Sequence, residues 1–429
     1  MFEQTKLAND STLITIPNPN TQAVTVLVMF PVGSRYETQE LNGVSHFIEH
    51  MMFKGTEKRP TTLDISKELD GLGAEYNAYT SKDYTGYYVK IDATKIETAL
   101  DIVSDMLWNS VFDADEIERE KGVIAEELHM YEDNPMMDVE EFLEAQIFHG
   151  SPLGWKIGGT DKIIHQFTRE GMVDFRDRFY TPDQMTVVVA GNMPENINER
   201  AEHFFGGTQR DPSNNVDYIK HEFVESPQVK VKWKKTEQAV MMAGFPAYGY
   251  TDDKLYALKL LHVILGGTMS SRLFIEVRER RGLAYVIRTD VSPYHETGAF
   301  SVKAGLLPEK CGDALKTIIA ELQKVKDSGV TAEELAQAKQ HMRGRIMLAL
   351  ENSSTLAEWY AKQWSLKGTA DTPEQQLEKL DAVTLDDILN VAQEVIQFEK
   401  MKVATIGPFK DESVFKNAIQ EAVGVKETV

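Results

Sequence analysis

Residues 28–55 read VMFPVGSRYETQELNGVSHFIEHMMFKG, and residues 243–269 read AGFPAYGYTDDKLYALKLLHVILGGTM. Superposing Phe30-Pro31 on Phe245-Pro246 sets an offset of 215 positions. A β-branched strand, a Phe-Pro pair, a polar loop and a helix then follow in the same order. Further on, Asp113-Ala-Asp-Glu-Ile lies over Thr331-Ala-Glu-Glu-Leu at an offset of 218, each opening a helix. Recurrence of this kind implies two copies of one α+β unit of about 210 residues.

Working outward, AVTVLVMF at 23–30 is a buried strand by its β-branched, apolar run. A helix is expected over 41–53, and two Tyr- and Thr-rich strand pieces over 76–91 around Ser81-Lys82-Asp83. Helices are expected over 95–108 and 113–131, the second opened by Asp113 as N-cap with Glu116 placed for a capping box. Further helices fall at 137–148, 168–180 and 194–205, and MTVVVA at 185–190 is a second buried strand. GGTQRDPSNN at 206–215 has linker composition. The expected division is a first domain over 1–210, a linker over 211–222 and a second domain over 223–429.

Composition narrows the function. The 429 residues include 42% hydrophobic and 26% charged, which is globular. Lys and Arg number 46 against 67 Asp and Glu, a net charge of −21. Such a chain repels phosphate backbones, so no nucleic-acid partner is expected, whereas a basic peptide would be attracted. A single cysteine, Cys311, excludes an intrachain disulfide and a thiolate zinc cage. No apolar run approaches the ~18 residues of a membrane span, and the first residues, MFEQTKLANDSTL, lack a signal pattern. The expected location is the cytoplasm of a bacterial-type cell; a mature organellar chain would read the same way.

The chemistry is concentrated in His46-Phe47-Ile48-Glu49-His50. On a helix, positions i and i+4 share a face, so both imidazoles can reach one ion. Glu49 sits at the edge of that face. It could take a proton from water whose pKa an ion such as Zn²⁺ has lowered towards ~7. The order H-x-x-E-H is the inverted zinc-peptidase signature. Alone, the same five residues also read as a solvated face or as hydrogen-bonded core histidines. A catalytic zinc needs a third ligand, and the 113–131 helix offers Glu116, Glu118, Glu120, Glu126 and Glu127. Glu120 and Glu127, seven apart, share a face; Ile117, Val123, Ile124 and Leu128 are expected to pack. Glu118 and Glu126 read as solvated.

HFIEHMMFKGT at 46–56 resembles the active-site helix of the pitrilysin and mitochondrial-processing-peptidase family of zinc peptidases. In that family 76 residues separate the second His from a Glu ligand. Here 76 residues run from Met51 to Glu126, and Glu127 is next. EREKGVIAEELHMYEDNP at 118–135 is similar to the family's bacterial, half-length form of that helix, and NAYTSKDYT at 77–85 to the strand lining its cleft. LGGTMSSRLF at 265–274 and RERRGLAY at 278–285 resemble its second domain, with Thr268 where relatives often carry another glycine. The resemblance implies two homologous α/β-roll domains in tandem, each an antiparallel-rich sheet packed with helices. It implies one Zn²⁺ per chain, held by His46, His50 and Glu127, with Glu49 as general base and Glu120 orienting the ligands. Asn77 and Ala78 would pair by their strand edge with an extended peptide. Arg278 and Tyr285 would bind substrate and stabilise the tetrahedral oxyanion.

At the 215 offset His46, Glu49 and His50 fall on Leu261, Ile264 and Leu265; at 218, Glu120 and Glu127 fall on Ala338 and Arg345. The second copy keeps the frame without a metal site. The expected function is a zinc-dependent metalloendopeptidase that cleaves extended, unfolded peptides inside a closed chamber. Half-length members of the family pair, so a homodimer, or a heterodimer with a related chain, is expected. Arg278 and Tyr285 would then serve their own zinc or the partner's. The rival reading is a non-catalytic structural or peptide-binding subunit of the same family.

Overall fold

The computed structural model describes residues 2–207, 210, 218–226 and 228–424. Most of the expected linker, 211–217, lies outside the described residues, as do 208 and 209 of the 206–215 run. In the first half the elements are β1 (Glu3–Lys6), β2 (Thr12–Pro17), β3 (Ala23–Phe30), α1 (Val44–Met52), α2 (Thr62–Asp70), β4 (Glu75–Thr80) and β5 (Thr85–Asp92). There follow α3 (Ile96–Asn109), α4 (Ala114–Asp133), α5 (Pro135–Ile147), α6 (Asp161–Ile164), α7 (Arg169–Phe179), β6 (Thr186–Gly191) and α8 (Ile197–Ala201). The second half contains β7 (Val229–Trp233), β8 (Ala239–Tyr248), α9 (Leu255–His262), β9 (Ala284–Pro293) and β10 (Thr297–Leu306). It closes with α10 (Cys311–Ser328), α11 (Ala332–Ala349), α12 (Ser353–Lys367), α13 (Pro373–Ala382), α14 (Leu385–Val395), β11 (Lys402–Gly407) and α15 (Ser413–Val423).

The two sheets run β1-β2-β6-β3-β5-β4 and β7-β11-β8-β10-β9. In each, one parallel pair (β2 with β6, β7 with β11) is followed by three antiparallel pairs. The duplication is therefore written into hydrogen-bond topology, with β1 as the first sheet's one addition among the described residues. The central strands are buried along almost their whole length, as expected for sheets covered on both faces.

The compact units are not contiguous in sequence. One comprises Met1–His129, Trp155–Ile219 and Ile346–Thr372; the other comprises Met130–Gly154, Lys220–Arg345 and Pro373–Val429. In the first unit, α12 lies on the sheet: Ala357, Tyr360 and Ala361 pack with Ile14, Leu27, Met29, Val188 and Ala190. Ser353 Oγ and Thr25 Oγ1, both buried, are 2.8 Å apart. In the second unit, α5 does the equivalent: Val139, Leu143 and Ile147 pack with Val240, Met242, Ala404 and Ile406. Gly244 of β8 permits this approach, because a Cβ there would come within 2.8 Å of Leu143. The domain division drawn at 210 and 223 follows the repeat, but each unit takes one helix from the other half of the chain. An amphipathic helix advertises its apolar face and not the sheet that will receive it.

The expected helix over 41–53 is shorter. A 3₁₀ turn at Gln39–Leu41 precedes Gly43, which has φ +101° and no room for a Cβ beside the Gly158 carbonyl. Asp113 caps α4 by accepting from the amides of Asp115 and Glu116. Glu116 does not complete a capping box: its carboxylate pairs with Arg119. The 194–205 helix is split into α8 and a π-helical turn at Glu202–Gly206. No helix among the described residues is long and apolar enough to cross a membrane.

Candidate metal centre

Helix α1 owes its orientation to its apolar face. Val44, Phe47, Ile48, Met51 and Met52 are wholly buried, and each large side chain is stabilised by about 1.5–3 kcal/mol on burial. Those positions take one side of the cylinder and leave His46, Glu49 and His50 on the other, half-buried. The N-terminus of α1 is fixed by a residue that motif reading passes over, Glu37. Its buried carboxylate accepts from the Gly43 amide (2.7 Å), the Ser45 amide (2.8 Å) and the Asn42 carboxamide (3.0 Å). Burial pushes this acid up to about 7 against the pull of those three donors.

Helix α4 faces α1. Ile117, Ile124 and Leu128 are buried as expected, whereas Val123 is exposed. Its position in the helix turns it to solvent beside Gly122 and Glu126, and this corrects the expectation that it packs. Glu118 and Glu126 are exposed. Glu120 and Glu127 lie on the inner face. Glu120 Oε1 is 2.8 Å from His50 Nδ1 and its Oε2 is 2.6 Å from Lys54 Nζ. Burial would raise the Glu120 acid, but these two cationic neighbours hold it below its usual value.

The structure brings His46, His50 and Glu127 together. Glu127 Oε2 is 3.5 Å from His50 Nε2 and 3.8 Å from His46 Nε2. One donor atom from each lies within 4.8 Å of the others, and among the described residues no other group of this kind occurs. Tetrahedral zinc with bonds of ~2.0–2.1 Å places its ligand atoms roughly 3.4 Å apart, so the donor set fits zinc in both chemistry and spacing. Glu120 at His50 Nδ1 is the carboxylate that commonly fixes a ligating imidazole's tautomer. The electrostatics of the metal-free side chains agree with a cation site. Burial, then the charge of His50, lowers His46 to about 4. Burial alone would lower His50 too, but its bonds to Glu120 and Glu127 raise it to about 9. The bond to His50 outweighs burial at Glu127 and lowers that acid. His46 Nδ1, buried near Gly158, makes no hydrogen bond among the described residues.

Glu49 stands one residue before His50 and does not join the cluster. Its Oε2 accepts from Thr80 Oγ1 at 2.6 Å. Burial raises the Glu49 acid, and the Thr80 bond opposes it. Thr80 belongs to β4, the outermost strand of the first sheet, on which Asn77 and Ala78 also lie. Asn77 is exposed, and Ala78 is buried. The Ala78 amide donates to Asn77 Oδ1 (2.9 Å). Beyond β4, the turn is pinned to the segment before α1. Ser34 N donates to Ser81 O (3.1 Å), Arg35 N to Lys82 O (3.1 Å), and the buried Arg35 and Asp83 pair at 2.7 Å. Gly33 makes this possible, since a Cβ there would fall 2.1 Å from the Ser81 carbonyl.

Arg278 and Tyr285 lie in the second unit. Arg278 is on a π-helical turn (Phe274–Glu279), exposed, with its guanidinium 4.8 Å from the Phe274 ring centroid. Tyr285 is the extra residue of a β-bulge: Ala284 opposes Leu306 and Val286 opposes Gly305. Its exposed ring covers Gly305, where a Cβ would come within 2.5 Å of Cζ. Bulges of this kind re-aim a side chain out of the ladder. The positions matched to His46, Glu49, His50 and Glu120, which are Leu261, Ile264, Leu265 and Ala338, are buried apolar residues, and Arg345, matched to Glu127, is exposed.

Sequence alone does not mark Thr80 or Glu37 as functional; only contacts across the fold give them their places.

Comparison with known proteins adds a family. The model for insulinase (peptidase family M16) matches residues 12–161, and that for the peptidase M16 inactive domain matches 166–342. An uncharacterized zinc protease of Bacillus subtilis (strain 168) is 33% identical over 95% of this chain and 98% of its own length. One from Streptomyces coelicolor is 34% identical over 95% of this chain and 90% of its own. Among solved structures, a protease from Helicobacter pylori superposes with a TM-score of 0.89 at 23% identity, covering 95% of this chain and 99% of that one. A chain of complex III2 from Candida albicans gives 0.84 at 18%, covering 97% and 99%. At such identities the two structures speak for the fold alone.

Proposed function

This chain belongs to peptidase family M16, and from that footing we propose that it is a zinc-dependent endopeptidase that cuts extended, unfolded peptides. The observation that supports this most is the convergence of His46, His50 and Glu127 from two helices, with the Glu49 carboxylate beside them and outside the donor set. Zinc held there, one ion per chain, would supply Lewis acidity, bringing the pKa of water towards ~7 and polarising the scissile carbonyl.

The side chains do the rest. His46, His50 and Glu127 hold the cation, and Glu120 keeps His50 turned towards it. Glu49 takes the proton from the attacking water as the new C–O bond forms, then returns it to the amine as the C–N bond breaks. A peptide lying along β4 would pair with its outer edge at Asn77 and Ala78, which demands an extended chain. Folded proteins would be poor substrates. Arg278 and Tyr285 are read as the groups that bind substrate and steady the developing oxyanion. The acidic balance of the chain supports basic peptides as substrates. The working form is read as a dimer, of two copies or with a related chain, enclosing a chamber.

Zinc-loaded protein and Glu49→Gln should be compared on a short, quenched, basic peptide. Loss of cleavage by at least about a thousandfold with zinc retained is expected of an essential base. Equal cleavage by both removes the mechanism. Bound zinc with no cleavage by the wild type favours a binding or structural subunit.

A further inference from the structure

We propose that Thr80 is a positioning residue for Glu49, so that the strand offered to the substrate also aims the base. This rests on the peptidase reading above and deepens it. A glutamate at a helix surface has three rotatable side-chain bonds, and a base must be held in one pose to act. Within α1 nothing supplies that restraint: Phe47, Ile48 and Met51 are apolar, and His50 is engaged with Glu120 and Glu127. The restraint comes from the neighbouring sheet. Thr80 Oγ1 donates to Glu49 Oε2 at 2.6 Å, a short bond of the charge-assisted kind. Oε1 makes no protein hydrogen bond among the described residues, which leaves it for the proton in transit.

Three features make Thr80 suited to the task. Its side chain is β-branched and stiff about χ1. Its backbone closes the β4–β5 hairpin opposite Thr85. The turn that follows is tied down by Ser34, Arg35 and the buried Arg35–Asp83 pair. The hydroxyl is therefore the end of a rigid chain of contacts. Side chains alternate along a strand, so Ala78 and Thr80 share the face that α1 covers. Among the described residues no strand lies beyond β4, so its outer backbone edge has no strand partner. A peptide added to that edge would be set in register with the base by one six-residue strand. The hydroxyl should then affect the chemical step, and the strand edge should affect binding.

The test pairs Thr80→Val, which keeps the shape and removes the hydroxyl, with Thr80→Ser, which keeps the hydroxyl. On the zinc-loaded full chain, Thr80→Val should lower kcat roughly 10- to 100-fold with KM within about twofold and zinc content unchanged. Thr80→Ser should stay within about threefold of wild type. Equal impairment of the two variants means that only packing matters and overturns the proposal, as does Thr80→Val with wild-type kcat. A readout free of activity is denaturant unfolding of the zinc-free chain in a cycle of Thr80→Val, Glu49→Ala and the double variant. The midpoint should fall with Thr80→Val when Glu49 is present and stay put when it is absent; additive shifts overturn the proposal. A wild type that cleaves nothing sinks the peptidase reading and this one with it. Cleavage by the wild type and by Thr80→Val alike sinks this one alone.

Discussion

Glu37 is a buried acid whose charge the fold tolerates at a cost, and that cost is measurable. Burial raises it from 4.5 to about 7, and at 3% exposure solvent screening is slight. Each pKa unit is worth 1.36 kcal/mol, so the shift corresponds to about 3 kcal/mol. The sign follows from proton uptake. A carboxyl that binds its proton more tightly when folded stabilises the fold below its unfolded pKa. That contribution fades as pH rises from 4.5 through about 7. Glu37→Gln cannot ionise, so its stability lacks this slope. It also places an amide NH₂ against the Gly43, Ser45 or Asn42 donors, a constant penalty of roughly 1–3 kcal/mol. Urea unfolding of both proteins, with zinc chelated, should show the variant deficit shrinking by about 3 kcal/mol between pH 4.5 and pH 8. Other titrating groups cancel in the difference. A deficit constant to within ~0.5 kcal/mol across that window would refute the argument.

Three further outcomes are expected. Glu120→Gln should weaken zinc binding roughly 10- to 100-fold, read by competition with a chromogenic chelator, since His50 loses the carboxylate at Nδ1. Because His50 is raised to about 9 in the metal-free side chains, zinc uptake at pH 7.5 should release about one proton, measured by calorimetry in buffers of different ionisation enthalpy. Release close to zero would mean that the imidazole is already neutral. Gly305→Ala should push the Tyr285 ring off its strand, since the added carbon meets Cζ at 2.5 Å. Cleavage should fall as far as in Tyr285→Phe while the thermal midpoint stays within a few degrees.

Much of this protein is legible in one dimension. The 23–30 strand coincides with β3 to the residue, because an unbroken β-branched run has one stable use. In the metal cluster His46 and His50 are legible because they are local on one helix, and resemblance picks Glu127 where a shared helix face leaves it beside Glu120. What stayed hidden depends on contacts between distant segments. Nothing local marks Thr80 as the partner of a side chain 31 positions earlier. Glu37 reads as a loop acid until the backbone folds its amides around it. The bulge at Tyr285 needs the register of β10, which is set by pairing along both neighbouring strands. The two traded helices were the least legible of all.

That trade sets a schedule. A ribosome finishes the first sheet at Gly191 and α12 only at Lys367. At ~5–20 residues per second, the apolar face of Ile14, Leu27, Met29, Val188 and Ala190 stands bare for on the order of ten seconds. The first unit cannot mature before α12 has left the tunnel, whereas the second unit's borrowed α5 is made early. A nascent chain of this design is an early client for whatever shields sticky surfaces in the cell, and a fragment ended at 210 would never outgrow that need.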